Sequence, residues 1–300
     1  MVIAPRANNL RCGLDVGGTQ IKAVLVDSND EIVSEFSSPS QAHLGPEKVR
    51  DSLLSLLETI YHSGYKFNVV GIGCAGSVDS EKGIVRNSPN FSNWKDINLR
   101  LWIEEATDKS VIVDNDANCA ALAEWKLGKG RGFKNVVLLT LGTGIGGGLI
   151  LNNAIYRGST GTGGELGHFS IYSDGVPCPC GNIGCFERYC SASALKTRVP
   201  EFSAKDIFKN VTTHDKCQIA VKEFIRNLQT GLVSLANIFD PDIILLGGAV
   251  SEGLVPYISE IREVVRGSCF PAIGAHLKVD FTHFSNNSGA VGAALLHAID

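Results

Sequence analysis

No long run of lysine or arginine occurs in this 300-residue chain, whose 27 basic and 31 acidic residues leave a formal net charge of -4. A nucleic-acid footprint needs a basic stripe to neutralise phosphates, so no nucleic-acid partner is expected. The opening residues, MVIAPRANN, lack the basic-then-apolar pattern of a secretion signal. Residues 136–156 carry no charge, but five glycines lie between Gly142 and Gly148, a poor composition for a lipid-facing helix. They read as two buried strands around a glycine-rich turn, and no membrane partner is expected. The pattern G-x-x-x-x-G-K-[ST] is also missing, which leaves a P-loop fold unsupported. Gly142-x-Gly144-x-x-Gly147 matches the dinucleotide spacing. The acid that should follow, Glu165, lies in a glycine-rich loop instead of ending a second strand, and this excludes NAD.

A paired disulfide framework is not expected either. The nine cysteines are an odd number, and three of them sit in one tight cluster, which in a reducing cytoplasm reads as a metal site. Cys12, Cys74, Cys119, Cys190, Cys217 and Cys269 are scattered and read as small core residues. A cytoplasmic location is the expectation.

What the chain has in excess is glycine, 33 residues, on a globular background of 44% hydrophobic and 19% charged residues. Cys12 to Val16 form an apolar strand running into Gly17-Gly18-Thr19, followed by a second strand and a turn at residues 27–30. Helical spacing of Val49, Leu53, Leu56, Leu57 and Ile60 predicts a helix over 46–63. Residues 69–73 predict a strand ending at Ala75-Gly76, and 110–113 another before a helix over 115–128. The opening pattern then recurs: residues 135–141 lead into Gly142-Thr143-Gly144-Ile145-Gly146, a second strand and a turn at Asn152-Asn153. Residues 242–249 give a third strand ending in Gly247-Gly248-Ala249, and the Ala/Leu-rich stretch 289–299 predicts a final helix. Two such units suggest two lobes from one ancestral element. The expected division is 1–114, joined by a C-terminal helix at 288–300, and 115–287.

Backbone N–H groups in tight turns can surround a phosphate chain, and glycine lets the main chain approach closely. One glycine turn is equally an ordinary hairpin; two similar turns plus Gly247-Gly248 point to a nucleotide site. Asp116 opens a predicted helix, where spacing alone allows either an N-cap or a carboxylate held ionised as a general base. His168, Cys178, Cys180 and Cys185 offer one imidazole and three thiolates, a four-ligand set suited to structural zinc. That loop would present Glu165 and Glu187, whose oxygens can accept from sugar hydroxyls or simply be surface charges.

Leu14-Asp15-Val16-Gly17-Gly18-Thr19 with Lys22, Asp114-Asn115-Asp116-Ala117-Asn118, Gly142-Thr143-Gly144-Ile145-Gly146-Gly147 and the cysteine cluster occur in order. Together they resemble the ROK family of repressors, open reading frames and sugar kinases. The resemblance implies an α/β, actin-like ATPase (ribonuclease H-like) fold in two lobes, with ATP and sugar in the cleft. It implies that Asp15 holds Mg2+ through water. Gly17, Gly18, Thr19, Lys22, Gly142, Thr143 and Gly144 would lie along the phosphates, and Gly247, Gly248 and Ala249 along the adenosine. It makes Asp116 the catalytic base, with Asn115, Gly76 and Asn90 at the sugar. Glu165, Glu187 and the zinc-bound His168 would read its hydroxyls. Cys190 stands where the family usually has alanine, a small change in size.

The implied activity is ATP-dependent phosphorylation of a hexose, with a homodimer as the common assembly. Gly163-Gly164-Glu165-Leu166-Gly167-His168 resembles the family's glucokinases, whereas many of its fructokinases carry His-Pro before the Glu. The 87–91 segment, with Trp94 and Leu99 after it, resembles the glucokinase loop over the sugar. N-Acetylmannosamine kinases share the polar residues and differ mostly in room for the acetyl group. The family's DNA-binding regulators carry a helix-turn-helix before the first strand, which is not expected ahead of Arg11.

Overall fold

Apolar strands that end in glycine turns lie at the centre of both main sheets of this molecule. A computed structural model describes residues 7–88, 91, 93–284 and 287–298. The chain forms two units. One holds the residues up to Leu127, the segment Arg157–Gly163 and the residues from Asn287 onward; the other holds Gly128–Tyr156 and Gly164–Asn286.

The first unit begins with β1 (Ala7–Val16), β2 (Gln20–Val26) and β3 (Ile32–Pro39). Helix α1 (Pro46–His62) has proline in its first turn, where a missing N–H costs nothing. Val49, Leu53, Leu56, Leu57 and Ile60 form its buried face. There follow β4 (Tyr65–Cys74), β5 (Ser77–Asp79), β6 (Ile84–Asn87), β7 (Lys95–Asn98), α2 (Leu99–Thr107), β8 (Ser110–Asn115) and α3 (Asp116–Lys126). The main sheet has the order β3-β2-β1-β4-β8, while β5, β6 and β7 form a small second sheet. β1 runs antiparallel to β2 and parallel to β4, which is parallel to β8. A C-terminal helix, Ser288–Leu295, lies on this sheet through small residues. A Cβ at Gly71 would overlap the Ala293 carbonyl, and one at Gly292 would overlap the Cys119 carbonyl.

The second unit contains β9 (Val136–Leu141), β10 (Ile145–Leu151), β11 (Ala154–Ile155), α4 (Glu187–Cys190), α5 (Ala192–Arg198), α6 (Ala204–Lys209) and α7 (Asp215–Phe239). β12 (Ile243–Gly247), α8 (Ile258–Ser268), α9 (Pro271–His276) and β13 (Lys278–Phe281) complete it. Its sheet order, β11-β10-β9-β12-β13, repeats that of the first unit, including the antiparallel β9–β10 pair and the parallel β9–β12 and β12–β13 pairs. Each unit has its own apolar core, around Leu14, Leu53 and Ile72 in the first and Leu139, Phe224 and Leu246 in the second.

The sequence-based division after Asp114 falls inside the first unit, which continues through β8 and α3 to Leu127. α3 stays with it because Gly73 faces Cys119 and Gly292 abuts the same turn. The uncharged stretch 136–156 is β9, a glycine turn, β10 and β11. Among the described residues, no helix is long and apolar enough to cross a membrane.

Candidate active site and metal cluster

Parallel pairing brings the carboxyl ends of β1, β4 and β8 side by side in the first unit. Asp15 is in register with Gly73 and Gly73 with Asp114, while Cys74 lies beside Asn115. Asp15, the Ala75-Gly76 turn and residues 114–116 therefore end on one sheet edge, where open α/β sheets bind ligands. Asn115 takes the N-cap of α3, its side-chain oxygen accepting from the Ala117 N–H at 2.9 Å and the Asn118 N–H at 3.2 Å. Asp116 is thus the first helical residue and not the cap, half-buried at the helix N-terminus. The expected sugar contact from Asn115 is narrowed by the same bonds. Its oxygen caps the helix and its amide donates to the Gly76 carbonyl at 3.0 Å, which leaves one N–H for another partner.

Asp15, opposite Lys22 on the β1–β2 pair, has its carboxyl pushed up to about 7, first by burial and then by the Asp116 charge. Lys22 opposes both. The Gly17 N–H donates to the Gln20 carbonyl at 3.0 Å and closes the turn, leaving Gly18 and Thr19 exposed at its tip. Gly76 has φ +115°, and a Cβ there would overlap the Asn87 carbonyl. Asn90 lies outside the described residues. Trp94 and Leu99, which follow that loop segment, are both buried in the core, Trp94 stacked on Phe91 at 4.3 Å between ring centroids. Aromatic surface of that size gains more from burial than from solvent.

In the second unit the 142–144 turn is held from several sides. The Gly142 N–H donates to the Gly144 carbonyl at 2.9 Å, and the Gly142 carbonyl accepts from Ala192 at 2.8 Å. Glu187 accepts from the Ile145 N–H at 3.0 Å, and a Cβ at Gly144 would overlap that carboxylate. The bare backbone at Gly144 makes room for Glu187, a pairing the spacing did not reveal. Thr143 is exposed at the tip. Gly247-Gly248-Ala249 ends β12, with Gly248 at φ +83° against the Leu141 backbone and Ala249 exposed.

The cysteine cluster assembles as expected. One ligand atom each from His168, Cys178, Cys180 and Cys185 lies within 4.8 Å of the others. Cys180 Sγ is 3.6 Å from Cys185 Sγ, and Cys178 Sγ is 3.7 Å from His168 Nδ1. Tetrahedral zinc with thiolate bonds near ~2.3 Å places ligand atoms about 3.8 Å apart, so the donor set fits that ion. The loop is fixed by backbone bonds: the Cys178 N–H donates to the Asn182 carbonyl at 2.8 Å and the Gly184 N–H to Val176 at 2.9 Å. The Asn182 amide donates to the His168 carbonyl at 3.1 Å. Backbone hydrogen bonding from Asn182 and the neighbouring sulfurs lower the Cys180 thiol to about 7, whereas burial pushes Cys185 up to about 12. His168 turns Nδ1 toward Cys178 and places Nε2 4.0 Å from the exposed Glu165 carboxylate. A metal held on Nδ1 would fix the proton on Nε2, where it could be donated.

One participant escaped the motif reading. Asp114, part of the 114–118 motif but given no role there, is buried and bonded to Arg157 at 2.8 Å. A lone arginine 43 positions away in sequence carries no local signal.

The ROK family pattern matches residues 11–299. The chain belongs to the ROK family. Among its relatives is a glucokinase of Streptomyces coelicolor, 35% identical across 95% of this chain and 96% of that one. A xylose repressor of Bacillus spizizenii is 31% identical, covering 97% of this chain and 78% of the repressor. The crystal structure of a ROK glucokinase from Streptomyces griseus in complex with glucose and AMPPNP superposes with a TM-score of 0.82 at 32% identity, covering 96% and 99% of the two chains. This ROK protein therefore has the two-lobed α/β, actin-like ATPase fold of the family's glucokinases.

Proposed function

We propose that this ROK protein transfers the γ-phosphoryl group of ATP to a hexose, with glucose and its 6-hydroxyl as the preferred acceptor. The observation carrying this reading is the position of Asp116, first residue of α3, its capping duty taken by Asn115 and a second carboxylate, Asp15, close enough to feel its charge. Phosphoryl transfer asks for positioning, charge neutralisation and a proton acceptor, and a carboxylate at a helix start meets the last need. Asp116 would take the hydroxyl proton as the sugar oxygen attacks phosphorus and ADP leaves. The raised Asp15 is a carboxylate short of counter-charge, suited to Mg2+ held through water, which would supply neutralisation of the phosphates. The turns at Gly17, Gly18, Thr19 and Lys22, and at Gly142, Thr143 and Gly144, would serve the phosphates. Gly247, Gly248 and Ala249 would border the adenosine.

His168, Cys178, Cys180 and Cys185 would hold one structural zinc. Four protein donors leave no open position, so its contribution is to fold the loop presenting Glu165, Glu187 and the His168 Nε2–H to sugar hydroxyls. Glucose is favoured by the Gly163-Gly164-Glu165-Leu166-Gly167-His168 motif and by the glucokinase relatives. N-Acetylmannosamine and fructose are the competing acceptors. The xylose repressor relative favours a second reading, a sugar-binding regulator without turnover. A coupled ADP-release assay over glucose, mannose, fructose, N-acetylglucosamine and N-acetylmannosamine separates these outcomes. Another sugar exceeding glucose by about tenfold in kcat/KM, roughly 1.4 kcal/mol, removes glucose but keeps the kinase. Tight sugar binding with no turnover on any member leaves the regulator.

A further inference from the structure

The segment Arg157–Gly163 belongs to the first unit, although the residues on either side of it belong to the second. It is pinned by close packing: Gly161, at φ +81°, lies against the Val78 carbonyl where a Cβ would not fit. The Gly163 N–H also donates back to the Arg157 carbonyl at 2.8 Å. Its effect is to deliver one guanidinium. Arg157 Nε and Nη2 both lie 2.8 Å from Asp114 Oδ2, and the Asp114 side chain is only 2% exposed.

The other carboxylate oxygen faces the opposite way. Asp114 Oδ1 accepts from the Asn115 N–H at 2.7 Å and from the Asn118 side-chain amide at 2.9 Å. With two donors on each oxygen, rotation of the carboxylate is fully restrained, and the restraint passes to Asn115 and Asn118. These two residues frame the first turn of α3, and Asp116 lies between them. A buried ion pair is seldom the best means of adding stability, since apolar residues of similar volume often do as well. A planar fork aimed at one oxygen supplies something apolar packing lacks, a fixed angle.

The geometry points to Arg157 as a positioning residue that, acting through Asp114, sets the direction of the first turn of α3 and so of the Asp116 carboxylate. This rests on the reading of Asp116 as proton acceptor. Misplacing a reacting group by about 1 Å can cost as much as ~10²-fold in rate. Arg157→Gln should therefore lower kcat about tenfold or more per folded molecule, with sugar and ATP KM values within about threefold of the parent. The double variant Asp114→Asn with Arg157→Gln should regain most of that kcat. An asparagine at 114 can accept from Asn115 and Asn118 through its oxygen and donate through its NH2 to the glutamine oxygen.

A kcat for Arg157→Gln within twofold of the parent overturns the inference, as does a double variant no faster than the single one. If Arg157→Gln does not fold, Arg157→Lys decides: it keeps the charge and loses the fork, so kcat should fall about threefold or more, and a parental kcat refutes the role. Should the parent phosphorylate no sugar, the proposed function fails while this inference stays testable by NMR. The Asn115 amide proton, bonded to a carboxylate, should resonate downfield and move upfield in Arg157→Gln or Arg157→Lys; an unmoved resonance ends the idea.

Discussion

At Asp116 the cap and the acid are separate residues, and that separation is what a substitution can test. Asp116→Asn keeps the side-chain volume and leaves the Asn115 cap in place, so the variant should fold and bind sugar nearly as the parent does. Its kcat should fall at least ~10²-fold, the low end for a positioned base; near-parental turnover in a steady-state assay would remove Asp116 from that role. Asp15 gives a pH-dependent prediction. Its native carboxyl titrates near 7 against an ordinary value of 3.8, so between these values the native state binds more protons than the unfolded one. The stability linked to this protonation is complete below about 4 and is lost as pH rises toward 7. In chelator-treated protein, Asp15→Asn should raise Tm at pH 8 and leave it nearly unchanged at pH 4. Equal shifts at the two pH values would place the effect elsewhere. Asp116 and Asp15 were legible as residues, whereas Arg157 was not, because its partner is set by tertiary packing and no short spacing encodes it.

Elements carry their own tests. The C-terminal helix sits on β1, β4 and α3 through Gly13, Gly71, Gly292 and three alanines because backbone meets backbone there. Gly292→Ala inserts a methyl into the Cys119 carbonyl, and a close-packed interface cannot absorb that without shifting the helix. A loss of about 1–3 kcal/mol is expected, the usual cost of overpacking, read as a lower urea midpoint at unchanged m-value. A midpoint equal to the parent's would mean the helix is seated more loosely. α1 was readable because its apolar positions follow the 3.6-residue period and its proline sits at the start. The strand over 69–73 was found short: β4 begins at Tyr65, where exposed residues alternate with buried ones before the continuous apolar run. The helices from α5 to α9 gave no motif to read, and Gly231 inside α7 shows why local propensity was a poor guide. That glycine exists to admit the Phe186 ring, a contact made across 45 positions of sequence.

At the scale of the whole molecule, two sheets of the same strand order each close over a separate core, and the Cys₃His cluster belongs to a loop of the second. Neither core includes the exposed Cys180. Purified protein should contain about one zinc per chain by elemental analysis, and Cys180→Ser should lose metal and sugar affinity together. Chelation should leave the far-UV circular dichroism nearly intact while opening residues 168–185 to protease. A broad loss of secondary structure would show that the ion holds more than its loop. The sequence by itself determined the two strand–glycine turn–strand units, the Cys₃His donor set and the acid at the start of α3. These are local patterns, written in spacings of a few residues and in the backbone freedom of glycine. Only the tertiary structure decided that Asn115 and not Asp116 caps the helix, that Trp94 and Leu99 are core, and that the unit continues to Leu127. It also decided that Gly144 makes room for Glu187 and that Arg157 braces Asp114. Each of these depends on which distant groups compete for the same hydrogen bond or the same volume, and that competition exists only once the strands are paired.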